Sequence, residues 1–209
     1  PWVDAAYADT GALGVLDAWL LSFSYTFQLY FDFSGYADMA VGIGMLFGIF
    51  LPFNFDAPYK AQSIQEFWRR WHITLSRWLR TYLYIPLGGN RGGEARTARN
   101  LVVTFLLGGL WHGAGWPFLI WGGLHGIACA VHAGWSRRGY AMPPLIGVAV
   151  TFLFVNIAWV FFRAPTVAAA IDVVSAMAGF APNVAPVHHF QPFLAQAWIM
   201  LGIGAAIVW

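Results

Sequence analysis

The chain has 209 residues, of which 59% are hydrophobic, 18% aromatic and only 10% charged. Water-soluble domains carry roughly 25% charged residues, so this composition excludes an ordinary soluble globule and predicts an integral membrane protein. The single cysteine, Cys129, excludes a disulfide within the chain and gives no indication of a cysteine-based metal site.

The basic residues are concentrated in one part of the sequence. Eight of the eleven lie between Lys60 and Arg99, and a basic block beside apolar segments is expected on the cytoplasmic side of a membrane. We therefore expect the lipid bilayer, and not a nucleic acid, as the surroundings of this block. Because the chain begins at Pro1 and stops at Trp209 within an apolar run, we expect a fragment.

The first predicted element is an apolar segment over residues 13–31, which is long enough for the roughly 20 residues that cross a bilayer. It reaches Asp32 in the motif FDFSGYAD. A glycine-rich run over 39–53 follows and is predicted to form a separate short span or a re-entrant piece.

Residues 62–84 show helical periodicity with two faces. Trp68 and Trp71 belong to an apolar face, whereas Arg69, Arg77 and Arg80 belong to a polar face. The pattern predicts one amphipathic helix at a membrane interface. His72 falls at the seam between the faces, so that it is either simply interfacial or directed into the protein.

The remaining segments complete an all-α, polytopic helical bundle with re-entrant and amphipathic helices. We expect it to form a single membrane-embedded domain over residues 1–209. The predicted segments are a Gly/Arg-rich loop at 86–100, an apolar stretch at 101–121 and another around His125, a turn at 136–139, a span at 143–163, a short helix at 167–180, a loop at 181–192 and a last span from 193.

Ionisable side chains within apolar segments are functional candidates, because they are costly to bury in a membrane. His112, in LLGGLWHGAGW, is either a packed histidine or a general base for a hydroxyl nucleophile. The flanking glycines favour the base, since they would leave the backbone open to a ligand, and Trp111 would form a wall. His125 follows on the next apolar stretch, about 20 Å away if the helix ran straight, and is interpreted as packing.

Carboxylates and the remaining histidines are weaker candidates. Asp32, Ser34 and Asp38 could bind a cation, cap a helix or pair with an arginine, and we prefer a structural role. His188 and His189 are expected to be solvated in a loop. No metal site is predicted.

Three long motifs resemble those of the membrane-bound O-acyltransferases, in the branch of bacterial alginate O-acetyltransferases. They occur in the family's order, and they read YFDFSGYADMAVGIG, PFNFDAPYKAQSIQEFWRRWHITLSRWLRTYLYIPLGGNRGG and RNLVVTFLLGGLWHGAGWPFLIWGGLHG. The resemblance is strong over about residues 30–126. The family's early spans are absent from the sequence, which agrees with the expected fragment.

The resemblance implies two catalytic residues, His112 in the WHG motif and His72 in the RRWH motif, brought together in a central tunnel. His112 would be the general base, and His72 would orient the acyl carbonyl or stabilise its oxyanion. The remaining candidates are assigned to substrate binding, and they are Trp68, Trp71, Trp111, Asp32, Ser34 and His125.

The implied activity is the transfer of an acetyl or other acyl group to a hydroxyl. A cytoplasmic thioester such as acetyl-CoA would be the donor, with no cofactor bound permanently. The acceptor would be an extracytoplasmic polysaccharide such as alginate, or a periplasmic acetyltransferase partner that relays the group. The resemblance implies a multi-pass protein of the bacterial inner membrane.

Two other functions remain alternatives. A b-type haem protein could use His112 and His125, but a matching pair of histidines on a second helix is not found. A transporter or channel could line its pathway with Asp32 and Asp38.

Overall fold

The computed structural model describes residues 2–180 together with Ile199 and Gly202. The loop predicted at 181–192, with His188 and His189, and most of the last predicted span lie outside the described residues. Over the described residues the chain is helical, without a strand, which confirms the all-α prediction. The helices are α1 (Trp2–Ala8), α2 (Val15–Leu46), α3 (Ile64–Arg70), α4 (Ile73–Leu79), α5 (Glu94–His112), α6 (Trp116–Arg137), α7 (Pro144–Arg163) and α8 (Val167–Met177).

Two compact units make up the chain. The first contains Pro1–Tyr30, Gly115–Pro117 and Val155–Trp209, and the second contains Phe31–Ala114 and Phe118–Phe154. Two of the described helices, α6 and α7, are long and apolar enough to cross a membrane. The helix α7 confirms a helix over the span predicted at 143–163, whereas the number of spans and the single domain stay predictions.

Helix α2 differs from its prediction, because residues 15–46 form one helix of 32 residues that continues through Asp32. The separate element predicted over 39–53 is therefore wrong. The helix ends at a glycine: Gly48 has φ of +71°, and the amide of Ile49 donates to the carbonyl of Gly44 at 2.9 Å. This hydrogen bond satisfies a carbonyl in the last turn of the helix, as is common where a glycine ends a helix.

The single amphipathic helix predicted over 62–84 is also wrong. The segment is two short helices, α3 and α4, followed by a π-helical turn over Arg80–Tyr84. Side chains that the periodicity places on the apolar face have different surroundings, since Trp68 is buried within the protein while Trp78 and Tyr82 are 48% and 63% exposed. Helical periodicity cannot reveal this break, because its causes are hydrogen bonds from a distant loop, which are described below.

Helices α5 and α6 form a hairpin whose backbones touch through glycines. A Cβ atom at Gly122 would overlap the carbonyl oxygen of Phe105, and one at Gly109 would overlap that of Phe118. Glycine pairs permit such close approach of membrane helices. The prediction that glycines near His112 leave the backbone open to a ligand is therefore wrong for Gly109, and for Gly113, which lies against the Phe118 ring.

Polar side chains join helices within the first unit. Asn156, fully buried in α7, accepts a hydrogen bond from Ser22 at 2.7 Å and donates one to Thr26 at 2.8 Å. Near the end of α7, Arg163 pairs with Asp4. Hydrogen bonds of this kind satisfy polar groups that would otherwise be costly to bury between apolar helices.

The glycine contact predicts the effect of one added methyl group. Gly122→Ala should lower the free energy of unfolding by about 1–3 kcal/mol, as overpacking does, and should lower the midpoint of thermal unfolding in detergent. Gly42→Ala is the matched control, because Gly42 lies in α2 with no neighbouring atom within 4 Å of an added Cβ. Equal midpoints for the two variants would contradict the close packing of α5 and α6.

Candidate active site

His72 lies at the break between α3 and α4, in the second unit. Its backbone is left-handed, with φ of 42° and ψ of 57°. This conformation costs a residue with a side chain of the order of 1–3 kcal/mol and is found preferentially at functional sites. The ring is half-buried and contacts Phe33 of α2 edge-to-face, with 4.8 Å between ring centres.

Hydrogen bonds from the loop at residues 54–56 stabilise the break between α3 and α4. The Asn54 carbonyl accepts from the amide of Ile73 at 3.0 Å, and the amide of Asp56 donates to the carbonyl of Arg70 at 3.0 Å. These bonds satisfy backbone groups that a continuous helix would have paired internally. A loop earlier in the chain thus determines where His72 lies.

The side chain of Asn54 also binds the start of α4. Its Oδ1 accepts from the amide of Thr74 at 3.2 Å and from the Thr74 hydroxyl at 2.7 Å. The same oxygen lies 3.3 Å from Nδ1 of His72. One amide oxygen therefore joins the start of α4 to the imidazole.

His112 is the last residue of α5, and its ring is half-buried. It contacts Trp121 of α6 edge-to-face, with 5.2 Å between ring centres, and Trp111 at 4.9 Å. The carbonyl end of a helix favours a positive charge. This position therefore suits an imidazole that takes up a proton during a reaction.

His125 lies at the centre of an aromatic cluster formed with Trp68, Phe105, Trp121 and Phe154. The ring is fully buried, and its Nδ1 accepts a hydrogen bond from the indole of Trp68 at 3.1 Å. The neutral ring therefore carries its proton on Nε2 and has no lone pair left for a haem iron. This environment supports the interpretation of His125 as a packing residue.

Trp121 joins His112 and His125, which belong to two successive helices. Its ring centre lies 5.2 Å from that of His112 and 5.0 Å from that of His125, so both imidazoles contact the same indole. They are closer together than on a straight helix, because the chain turns back between α5 and α6.

Electrostatics links His72 and His112, which come from separate motifs of the sequence. Burial, and then the positive charge of protonated His112, lower the pKa of His72 to about 4. His72 lies outside the candidate spanning helices. Because its pKa is about 4, His72 is neutral at physiological pH. A positive charge on His112 is near enough to disfavour protonation of His72.

The other predicted site residues have different surroundings. Trp71 is buried against Phe33, whereas Trp111 is 63% exposed. Asp32 is exposed and Ser34 half-buried on α2. Their spacing along the helix places Asp32 and Asp38 about 120° apart around the axis, so the two carboxylates do not share one face of α2.

A cavity of about 640 Å³ opens beside the aromatic cluster. Trp68, Ile73 and Phe105 contribute apolar surface, and the exposed side chains of three arginines contribute positive charge. Those arginines are Arg69, Arg77 and Arg80. A volume of this size suits a small organic ligand, and the arginines favour one with an anionic part.

Three residues of the site were not singled out from the sequence, namely Asn54, Phe33 and Trp121. Asn54 carried a usable signal, because it is a lone polar residue in the apolar run LPFNF. Phe33 and Trp121 carried none, since each is one aromatic residue among many.

Comparison with known proteins gives these residues a family context. A model of the membrane-bound O-acyltransferase family matches residues 6–171. The chain belongs to this family. The match includes α2 to α7 and therefore both His72 and His112.

Relatives in this family are named for the transfer of acetyl or D-alanyl groups to peptidoglycan, alginate or teichoic acid. The chain is 56% identical over 184 residues to the peptidoglycan O-acetyltransferase of Helicobacter pylori, covering 84% of this chain and 35% of the relative. It is 54% identical over 166 residues to the probable alginate O-acetylase AlgI of Pseudomonas aeruginosa, covering 78% and 32%. It is 36% identical over 121 residues to the teichoic acid D-alanyltransferase of Streptococcus thermophilus, covering 54% and 29%. The chain thus spans about a third of the length of these relatives.

The bond between Trp68 and His125 predicts a stability effect. Trp68→Phe keeps an aromatic ring but removes the donor to the buried Nδ1 of His125. We expect the free energy of unfolding to fall by about 1–3 kcal/mol, measured as a lower thermal midpoint in detergent.

Trp78→Phe is the control for this change, because Trp78 is 48% exposed and its replacement should alter the midpoint little. A Trp68→Phe midpoint as high as that of the control would show that the buried hydrogen bond contributes nothing.

Proposed function

We propose that the protein is a membrane O-acyltransferase that moves an acetyl group from a thioester to a hydroxyl, with His112 and His72 as its catalytic residues. The observation that supports this proposal is that the positive charge of His112 reaches His72, although the two imidazoles belong to separate motifs of the sequence. Their surroundings are aromatic, and an aromatic site excludes the water that would hydrolyse a thioester.

The reaction requires a base for the acceptor hydroxyl. We assign this role to His112, which removes the proton as the hydroxyl oxygen attacks the thioester carbonyl. The resulting tetrahedral intermediate collapses with cleavage of the carbon–sulfur bond, and the departing thiolate takes the proton back from the imidazolium. The position of His112 at the carbonyl end of α5 supports this role, because it favours the transient positive charge.

The donor is proposed to be acetyl-CoA or another thioester whose carrier group bears phosphate. The support is the cavity beside Trp68, whose arginines match phosphate and whose apolar wall matches the thioester arm. No cofactor is proposed to remain bound between turnovers. The donor would approach from the cytoplasm, where a basic block is expected.

The acceptor is proposed to be a polysaccharide hydroxyl outside the cytoplasm, alginate being one example, or a hydroxyl of a periplasmic partner that relays the acetyl group. The names of the relatives support a cell-envelope polymer. This arrangement requires a multi-pass protein of the bacterial inner membrane, with a tunnel that admits donor and acceptor from opposite sides.

The roles of the histidines predict a graded loss of activity. His112→Ala should abolish acetyl transfer, and His72→Ala should lower its rate by roughly 100-fold or more, as loss of an acid–base group does. The assay follows transfer of radiolabelled acetyl groups to polymer in membranes that contain the protein.

His132→Gln is the control, because His132 is a histidine of α6 that is not part of the proposed site. It should transfer at the normal rate. Full activity of a folded, membrane-inserted His112→Ala variant would overturn the proposal.

The cavity predicts a separate effect on the donor. Arg77→Gln together with Arg80→Gln should raise KM for the donor thioester while leaving kcat nearly unchanged, and should weaken the dependence of KM on salt concentration. Arg138→Gln is the control, since Arg138 pairs with Glu94 and does not line this cavity. An unchanged donor KM in the double variant would remove the cavity from the proposed donor path.

A further inference from the structure

We propose that Asn54 is a positioning residue that holds His72 in the tautomer with hydrogen on Nδ1, so that Nε2 presents a lone pair to the substrate. The inference rests on the proposed function. It adds to that function a residue outside the two histidine motifs and a defined role for one ring nitrogen.

The first step concerns which end of the Asn54 amide faces the break. The backbone amide of Thr74 can only donate a hydrogen bond, and it lies 3.2 Å from the atom assigned as Oδ1. A nitrogen in that position would set two donors against each other. The atom that faces Thr74 is therefore the oxygen, independently of how the amide is drawn.

The second step follows for His72. The same oxygen lies 3.3 Å from Nδ1, and an amide oxygen can only accept. Nδ1 therefore carries the hydrogen in this contact. Because a neutral imidazole has one hydrogen, Nε2 has a lone pair and acts as an acceptor.

Other contacts keep this arrangement in place. The Thr74 hydroxyl donates to the same oxygen at 2.7 Å, and the Asn54 carbonyl binds the amide of Ile73. The Phe33 ring meets the imidazole edge-to-face and restricts its rotation. Two of these contacts hold Asn54, and the third holds the imidazole that its oxygen meets.

The tautomer decides what His72 can do. A lone pair at Nε2 accepts a hydrogen bond, but it cannot donate one to an oxyanion while the ring is neutral. We therefore assign to His72 the binding of a donor group of the substrate other than the reacting hydroxyl, whose proton goes to His112. This role differs from the oxyanion role expected from the sequence. The arrangement is equivalent to the asparagine that orients the histidine of papain-like proteases. The titratable group whose charge reaches His72 is His112.

The tautomer can be observed directly by solid-state NMR of the membrane-embedded protein with ¹⁵N-labelled histidine. Loss of signals in His72→Gln assigns the His72 pair. At pH 7 the His72 Nε2 should resonate at the position of a nitrogen without hydrogen, and its Nδ1 at that of a nitrogen with hydrogen. In Asn54→Leu the two tautomers should mix. The reverse assignment in the unmodified protein would overturn the inference.

Kinetic measurements on matched variants test whether the contact between Asn54 and His72 matters for turnover. Asn54→Leu should lower kcat by roughly 100-fold, near the lower end of acid–base contributions, with little change in KM. Asn54→Asp should restore most of kcat, because a carboxylate also accepts from Nδ1 and Thr74. Thr74→Val removes only the hydroxyl donor and should retain nearly normal turnover.

The outcomes separate this inference from the proposed function. If His72→Ala is inactive while Asn54→Leu is fully active, the function stands and the role of Asn54 is wrong. If Thr74→Val loses as much activity as Asn54→Leu, the contact serves only to hold the loop, which also contradicts the inference. If His72→Ala is fully active, the proposed function loses its second histidine.

Discussion

The hydrogen bonds between the loop at 54–56 and the segment that links α3 to α4 are the interactions on which the site depends. They satisfy the backbone groups exposed by the break, and they thereby keep His72 in a left-handed conformation that it would not otherwise adopt. Without them the segment would form one amphipathic helix. His72 would then be one interfacial residue among others, at the edge of an apolar face.

A second constraint places His112 against α6. The glycine contacts between α5 and α6 let the two backbones touch, so that the chain reverses and Trp121 meets the ring of His112 edge-to-face. Phe33 meets the ring of His72 in the same way. In the proposed function these aromatic rings would keep water from the thioester, while the arginines line the cavity beside Trp68.

Sequence reasoning identified the helical class, α7 and the family, because these depend on composition, on periodicity and on shared motifs. The catalytic pair of histidines stays a prediction from those motifs. It failed where contacts between distant segments override local pattern. The continuity of α2 through Asp32 and the break before His72 are of this kind. The expectation that glycines near His112 leave room for a ligand failed for a related reason. A sequence does not distinguish a glycine beside a ligand site from one beside a neighbouring helix.

The importance of Asn54 was hidden for the same reason. An asparagine in an apolar run signals a buried polar contact, but only the structure reveals that its oxygen meets both Thr74 and His72. The tautomer of a catalytic imidazole is a property of its partner, and no motif that contains the histidine alone can specify it.

The central claim is that one acyl-transfer site lies between His72 and His112. The most direct test is a cryo-EM structure of the membrane protein with a CoA analogue in which a methyl ketone replaces the acetyl thioester. The account predicts density for the ketone between the two imidazoles, within about 4 Å of both, as near-attack geometry requires. Ketone density outside contact with both histidines would contradict it.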